Sequence, residues 1–545
     1  MAFSVQGTAH RSTVTGRRGM VASAHPLASA AGLRILVQGG NAIDAAVGTA
    51  AALNVVEPYM SGIGGIGYMH IYSAARNEHK VLDYIGLTPG SADLKLYEPT
   101  ENELRGPLSP IVPGACGGWL EALECYGSMD AATVFAPAIE YAEQGFALTV
   151  KNSEFFEQQL HLLLAHSSSA SNYLFDGKPP RPGEVLRQQD LARTLRLVAA
   201  EGPEIFYQGE ISARICRHMA EAGGLLGSED LSSFQPAWLE PVCTDYRGYR
   251  IYAPPPPCQA VQYLEILNIM EGFDVGEMGH NSSATLHRFI EAAKLATADR
   301  AEFAAIPDPP AAGLLSKKFA NARRQLIGSR AQPGGGERYT AVKMPGEVLA
   351  GDPYAWMTTE CTTHFDAIDS AGNAVAVTQS LGSAFGSGMV VPGTGIALNN
   401  FMNWFDLEPR SPNAIGPSKK NEMCMSPVQI WDDYGLRLLI GTPGSYGILQ
   451  TTPQMIMNFL DHSMNIQAAI EAARAKITSP GYTIDAETRI SPGVIEEMQS
   501  MGHQFNLVGD WSAMLGGGQG IAVDADTGSF MGGADPRRDG YALGW

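Results

Sequence analysis

Between Gly328 and Gly351 the chain carries glycine, proline and charge in place of apolar periodicity, with Gly334-Gly335-Gly336 inside the run. Such a stretch has neither an apolar face nor uninterrupted propensity, so it reads as a mobile surface segment. The pattern differs on its two sides. Before it, Leu27–Gln38 and Asn41–Val55 read as alanine-rich helices parted by Gly39-Gly40, with Pro58 after the second. Pro137–Gln144, Leu191–Glu201, Ser212–Glu221 and Ala284–Asp299 continue in that style, and Tyr246–Tyr252 alternates like one strand running into the Pro254–Pro257 connector. After it, Thr362–Ile368 and Ala374–Ser380 alternate about a turn at Asp369–Asn373. Val428–Trp431 and Leu436–Ile440 do the same about Asp432–Gly435. Pro453–Leu460 and Ile466–Arg474 read as helices, and Gly520–Asp524 and Phe530–Asp539 as short closing elements. The chain therefore needs a fold that packs helices on hairpins across a break in the sequence.

Composition narrows the function classes. Of 545 residues, 45% are apolar and 17% charged, enough for a large core. Fifty-six acidic residues against 37 basic ones give a charge of −19, which repels phosphate backbones and anionic membranes. Neither nucleic acid nor membrane is expected as a partner. The longest apolar run, Ala42–Val56, is too short to span a bilayer and contains Asp44. Met1–Arg18 has no apolar stretch of the secretory kind. Seven cysteines without a C-x-x-C read as buried free thiols of a reducing cytoplasm. The twelve histidines show no ligand spacing, so neither a metal nor a cofactor is expected. Gly62-Ile-Gly64-Gly-Ile-Gly67 matches a dinucleotide pattern, but a helix precedes it and a strand follows, the reverse of what that site needs. Close backbone packing is the alternative. No serine lies in a G-x-S-x-G elbow.

The junction Glu360-Cys361-Thr362-Thr363-His364 carries chemistry. A threonine hydroxyl needs an adjacent base to act as a nucleophile. Scission of the Cys361–Thr362 bond would give Thr362 a free α-amine, with a pKa near 8, on the same residue as its hydroxyl. The hairpin register sets Ile368 opposite Ala374 and hence Thr362 opposite Ser380, whose hydroxyl could orient it. A one-residue slip would separate them, and the spacing equally describes an ordinary Thr/Ser cross-strand pair. Gly441-Thr-Pro-Gly444-Ser445 ends an apolar strand ahead of a helical run. Its backbone amides could converge on an oxyanion, or it could be a plain glycine turn.

Taken together the chain resembles the gamma-glutamyltranspeptidase-like N-terminal nucleophile hydrolases. Gly39-Gly40-Asn41-Ala42, Asp44-Ala45-Ala46-Val47, Val56-Glu57-Pro58 and Ser61–Gly65 resemble that family's opening signatures. Tyr246-Arg247-Gly248-Tyr249, Lys294–Arg300, Thr362-Thr363-His364, Gly372–Val375, Phe385–Gly388 and Asn399-Asn400 follow in the family's order. The resemblance implies an α+β, four-layer αββα fold. It implies self-cleavage into a large subunit, 1–361, and a small one, 362–545, and it allows a homodimer of such heterodimers. Thr362 would be the nucleophile, Ser380 its supporting hydroxyl, and Gly444 with Ser445 the oxyanion turn.

The pocket departs from the family's pattern. Ile85 stands where the α-carboxylate arginine should be, and Gly382, Phe401 and Trp404 where polar residues should hold the α-amino group. Met423 and Cys424 replace a serine pair, Asn400 stays among the substrate-binding positions, and the segment from Asn400 to Met423 is shorter than in members with a lid. A charged amino-acid head needs paired partners when it leaves water, and Ile85, Phe401 and Trp404 supply none, although core packing would also account for the two rings. The resemblance then implies an amidohydrolase of the acylase or oxamate-amidase branch, acting on a small-molecule amide. The rivals are a gamma-glutamyltransferase or glutathione hydrolase, and a non-catalytic binding relative.

Overall fold

The computed structural model describes residues 9–97, 104–304, 306, 309–332, 361–478 and 483–545, with Glu302, Cys361 and Thr362 by their backbone alone. The expected surface segment lies outside the described residues from 333 onward.

Two seven-stranded sheets face each other. The first runs in the order Tyr541–Gly544, Gly19–Ser23, Cys361–Asp369, Ala374–Gly382, Ile66–Ser73, Glu78–Asp83, Ala237–Leu239. The second runs Val14–Gly16, Phe530–Ala534, Gln519–Val523, Gly435–Gly441, Val428–Asp432, Tyr249–Ala253, Val242–Tyr246. Every pairing in both is antiparallel. Strand alternation then decides the layers. On the first sheet Phe365, Ala367, Val375 and Val377 join the helices Pro26–Val37 and Ala42–Val56 in one apolar cluster. Ile368, Ala374 and Ala376 turn the other way and meet Leu439, Ile521 and Phe530 between the sheets. Leu438 and Ile440 on the far face of the second sheet pack with the helices Val261–Met270, Ser283–Phe303 and Ile448–Leu460. Helix, sheet, sheet, helix is the expected four-layer αββα sandwich.

The helix Ala42–Val56 is buried along its whole length, which is why its sequence has no polar face. Asn41 caps it, accepting from the Ile43 and Asp44 amides, while Asp44 reaches back to the Asn41 amide. Both hairpins form as expected, with Ile368 opposite Ala374 and Val428 opposite Ile440. Tyr246–Tyr252 is not one strand. Arg247 and Gly248, at φ 54° and 82°, turn it into a hairpin between Val242–Tyr246 and Tyr249–Ala253. In the glycine run, a β-carbon on Gly65 would sit 2.4 Å from the Ser380 carbonyl oxygen, so close backbone packing accounts for it. Cys116, Cys258 and Cys424 are buried free thiols, but Cys125 and Cys216 are half-buried and Cys243 is exposed, because Cys243 sits on the outward face of its strand. Among the described residues no helix is long and apolar enough to cross a membrane.

Candidate active site

The hairpin that opens with Cys361 and Thr362 lies in the middle of the first sheet, flanked by Gly19–Ser23 and Ile66–Ser73. Its register holds from Ile368 out to Thr363, opposite Gln379, and then shifts, so that Cys361 pairs with Gly382. Thr362 therefore faces Ser380 and Leu381 together across a bulge, a device that re-aims side chains at the end of a ladder. The bulge coincides with a close approach from outside the hairpin. Gly382 adopts φ 101°, and a β-carbon there would lie 2.3 Å from Asn400 Oδ1. The Asn400 carboxamide is spent on this turn: its oxygen accepts from the Ser383 amide, and its nitrogen donates to the Leu104 carbonyl and to Ser383 Oγ. Ser380 is buried, and its Oγ accepts from the Gly382 amide at 2.9 Å.

Two residues beyond Thr362, His364 is wholly buried on the face turned to the second sheet. Nδ1 is hydrogen-bonded with the Thr378 hydroxyl at 3.0 Å, and Nε2 faces both Asp366 oxygens at 3.2 Å. Burial pushes the Asp366 carboxyl up, and His364 pulls it back. The imidazole lies against Gly441, where a β-carbon would come within 2.4 Å of the ring. That contact brings the Gly441–Ser445 turn of one sheet beside the Thr362 strand of the other. Gly444, at φ 135°, and Ser445, at φ 53°, stand where the strand Gly435–Gly441 gives way to the helix Ile448–Leu460. Amides at such a start lack intrahelical partners and can face an anion. Ser445 is a serine in the left-handed region, which costs roughly 1 kcal/mol against glycine.

Ile85, Phe401, Trp404, Met423 and Cys424 all belong to the large apolar core that also holds Ile66 and Tyr68, the partners of Ser380 and Thr378 on the neighbouring strand. The Phe401 and Trp404 rings lie 6.0 Å apart, and Tyr446 follows 5.2 Å from Trp404. Two charges border these rings, and neither was expected from the sequence. Arg300 sits 4.6 Å over the Tyr446 ring, and its guanidinium is 3.6 Å from Glu422. Arg300 Nε is buried without a hydrogen-bond partner. Burial raises the Glu422 carboxyl, and Arg300 opposes that rise.

Sequence reasoning also missed Glu57, the residue that ends the helix Ala42–Val56, which packs against the strand Cys361–Asp369. Burial pushes its carboxyl up to about 7, while Arg538 and the Thr363 hydroxyl draw it down and Asp539 adds to the rise. The Thr363 hydroxyl lies near enough to favour the ionised form but makes no hydrogen bond of normal geometry. A carboxyl raised from 4.5 to about 7 favours folding while protonated. Its contribution is whole below pH 4.5 and is lost as pH rises through 7. Glu57→Gln should therefore flatten the stability profile between about pH 5 and pH 8, by on the order of 3 kcal/mol relative to wild type, in urea melts at stepped pH. Parallel profiles would show that Glu57 is already ionised in the fold.

Two facing sheets between helical layers set a hydroxyl-bearing strand start beside a glycine turn, and the chain's family and relatives make it a hydrolase acting on amide bonds. The chain belongs to the gamma-glutamyltranspeptidase family, whose model matches residues 28–545. It is 37% identical to the acylase ACY 1 proenzyme of Pseudomonas sp. (strain V22), over 98% of this chain and 94% of that one. It is 34% identical to the glutathione hydrolase-like YwrD proenzyme of Bacillus subtilis (strain 168), over 98% and 99%. The crystal structure of cephalosporin acylase from Bacillus halodurans superimposes with a TM-score of 0.89 at 33% identity, covering 99% of this chain and 98% of that one.

Proposed function

We propose that the chain is a precursor that cuts its own Cys361–Thr362 bond, and that the freed Thr362 hydrolyses a small-molecule amide whose acyl group lacks a glutamate-type head. The large subunit would be 1–361 and the small one 362–545. The Thr362 hydroxyl adds to the amide carbonyl carbon and passes its proton to the Thr362 α-amine. The Gly444 and Ser445 amides receive the oxyanion, and the leaving amine takes the proton as the C–N bond breaks. Water then opens the acyl-threonine ester, releasing the acid and regenerating the hydroxyl.

The observation that carries the acyl preference is the buried cluster of Ile85, Phe401, Trp404, Met423 and Cys424 beside the Ser380 strand. An apolar wall of that kind pays no desolvation penalty for a flat or aliphatic acyl group and a heavy one for a zwitterion. A proenzyme named as an acylase at 37% identity suits an acylase, while one named as glutathione hydrolase-like at 34% suits the glutamyl rival. One observation favours the glutamyl rival: Arg300, with its Nε unpartnered, borders the aromatic wall and could take a carboxylate. A panel of amides differing only in the acyl group, read by amine release, tests the proposal. Turnover confined to uncharged or apolar acyl groups supports it, and preference for γ-glutamyl amides rejects it.

Ser380→Ala tests the supporting hydroxyl. The expected result is a kcat lower by about 10–10³-fold with little change in melting temperature, the scale of losing one orienting or proton-handling contact. Wild-type turnover would remove Ser380 from the mechanism.

A further inference from the structure

Far from the nucleophile strand, the outer helical layer holds a cluster that the reaction does not use. His287 and Glu291 lie four residues apart on one face of the helix Ser283–Phe303, and His503 approaches from the segment after the helix Pro492–Ser500. All three are buried, and one donor atom from each lies within 4.8 Å of the others. Spacing could not reveal it, since the two histidines are 216 residues apart.

The hydrogen bonds fix how these groups face. His287 Nε2 is 2.9 Å from the Gly328 carbonyl, which only accepts, so Nε2 carries the proton and Nδ1 presents its lone pair. That lone pair points at His503 Nε2, 2.8 Å away. A histidine whose outer N–H is tied to a backbone carbonyl while its inner nitrogen is bare has the arrangement found in metal-bound imidazoles. Glu291 is steadied likewise, accepting from Lys294 Nζ at 2.6 Å and from the Gln332 amide at 3.2 Å. His503 Nδ1 is buried with no hydrogen-bond partner, so the His–His hydrogen bond leaves the second ring incompletely satisfied.

We propose that His287, Glu291 and His503 form a site for a zinc-class divalent ion, with a fourth position open to water. Two imidazoles and a carboxylate are a donor set that zinc takes. Zinc–nitrogen bonds of about 2.0–2.1 Å in a tetrahedron separate the two nitrogens by roughly 3.3 Å, so the rings need part by only about 0.5 Å. Binding exchanges the proton between the rings for the metal: it leaves His503 Nε2 as Nδ1 of the same neutral ring takes one up, so the Nε2 lone pair is freed with no net loss of a proton. Lys294 competes for Glu291, so it weakens the site without filling it. Because His287 and Glu291 precede residue 361 and His503 follows it, the ion would tie together the two pieces of a chain cut at that bond.

Zinc titration calorimetry on the chelator-treated full-length protein tests this, with cobalt absorption as a second reading. The expected result is one ion per chain and visible bands of a four-coordinate nitrogen–oxygen site. His503→Ala should weaken binding by at least about 10–100-fold. Glu291→Gln, which keeps the shape of the side chain, serves the same purpose should the alanine variant fail to fold, and melting without metal verifies that each is folded. A wild-type protein that takes up no zinc at millimolar concentration, or folded variants that bind it as wild type does, would overturn the site.

Discussion

Thr362→Ala should purify as one uncut chain of 545 residues and should hydrolyse no amide at a rate above background. On the proposed mechanism the substitution removes the atom that performs both steps, attack on the preceding carbonyl and attack on substrate. Loss of a nucleophile costs on the order of 10⁴-fold or more. Stability should change little, because the backbone ladder of the strand runs from Thr363 to Ile368 and the substitution leaves it in place. Thr362→Ser keeps a hydroxyl in place and should still mature, more slowly. Intact mass separates the outcomes. Wild type should give fragments 1–361 and 362–545, and the alanine variant neither. Cleavage that persists in Thr362→Ala, or that maps to another bond, would remove Thr362 from the chemistry.

The hairpin behind this prediction is legible from the sequence because a half-buried strand writes its period of two directly, and the Asp369–Asn373 turn pins the count. Asp369 itself accepts from the Ala371 and Asn373 amides. The bulge at Thr362 is not legible. It is set by Asn400, which crowds Gly382 from a segment eighteen positions further on and leaves no trace in the local pattern. The hairpin at Arg247-Gly248 was hidden for the opposite reason: aromatic residues run through the turn, so the alternation continues where the strand does not. Glu57 was visible only as part of a signature. Its raised carboxyl comes from depth in the fold and from Arg538, which lies nearly five hundred positions away. The same holds for Arg300 and Glu422, whose meeting beside Tyr446 is a tertiary event. Patterns of two and 3.6 report which face is buried; they do not report which charged groups share that burial.

Gamma-glutamyl-p-nitroanilide and glutathione should be poor substrates, and this result decides between the acylase and glutamyl readings. An α-amino-acid head brings a carboxylate and an ammonium into the pocket, and both must be paired there. Ile85 is buried at 2% exposure and offers only an alkyl surface, and its amide is already engaged by Asp83. Lys420 is held by Asp83 at 2.7 Å. Phe401 and Trp404 give the ammonium two ring faces, worth about 0.5–2 kcal/mol as cation–π contacts. Losing a buried, charge-assisted partner costs roughly 2–5 kcal/mol, so the rings do not offset the missing guanidinium. Arg300 could reverse the balance, but its guanidinium already faces Glu422 at 3.6 Å. Ile85→Arg alone should recover little glutamyl activity, because the ammonium partners would still be absent. Arg300→Met should leave hydrolysis of an uncharged acyl amide within about tenfold of wild type, since no charge in that substrate needs the guanidinium. A wild-type kcat/KM for the glutamyl anilide of about 10⁴ M⁻¹s⁻¹ or more, abolished by Arg300→Met, would show that the glutamyl clamp has been rebuilt on Arg300 and would reject the acylase reading.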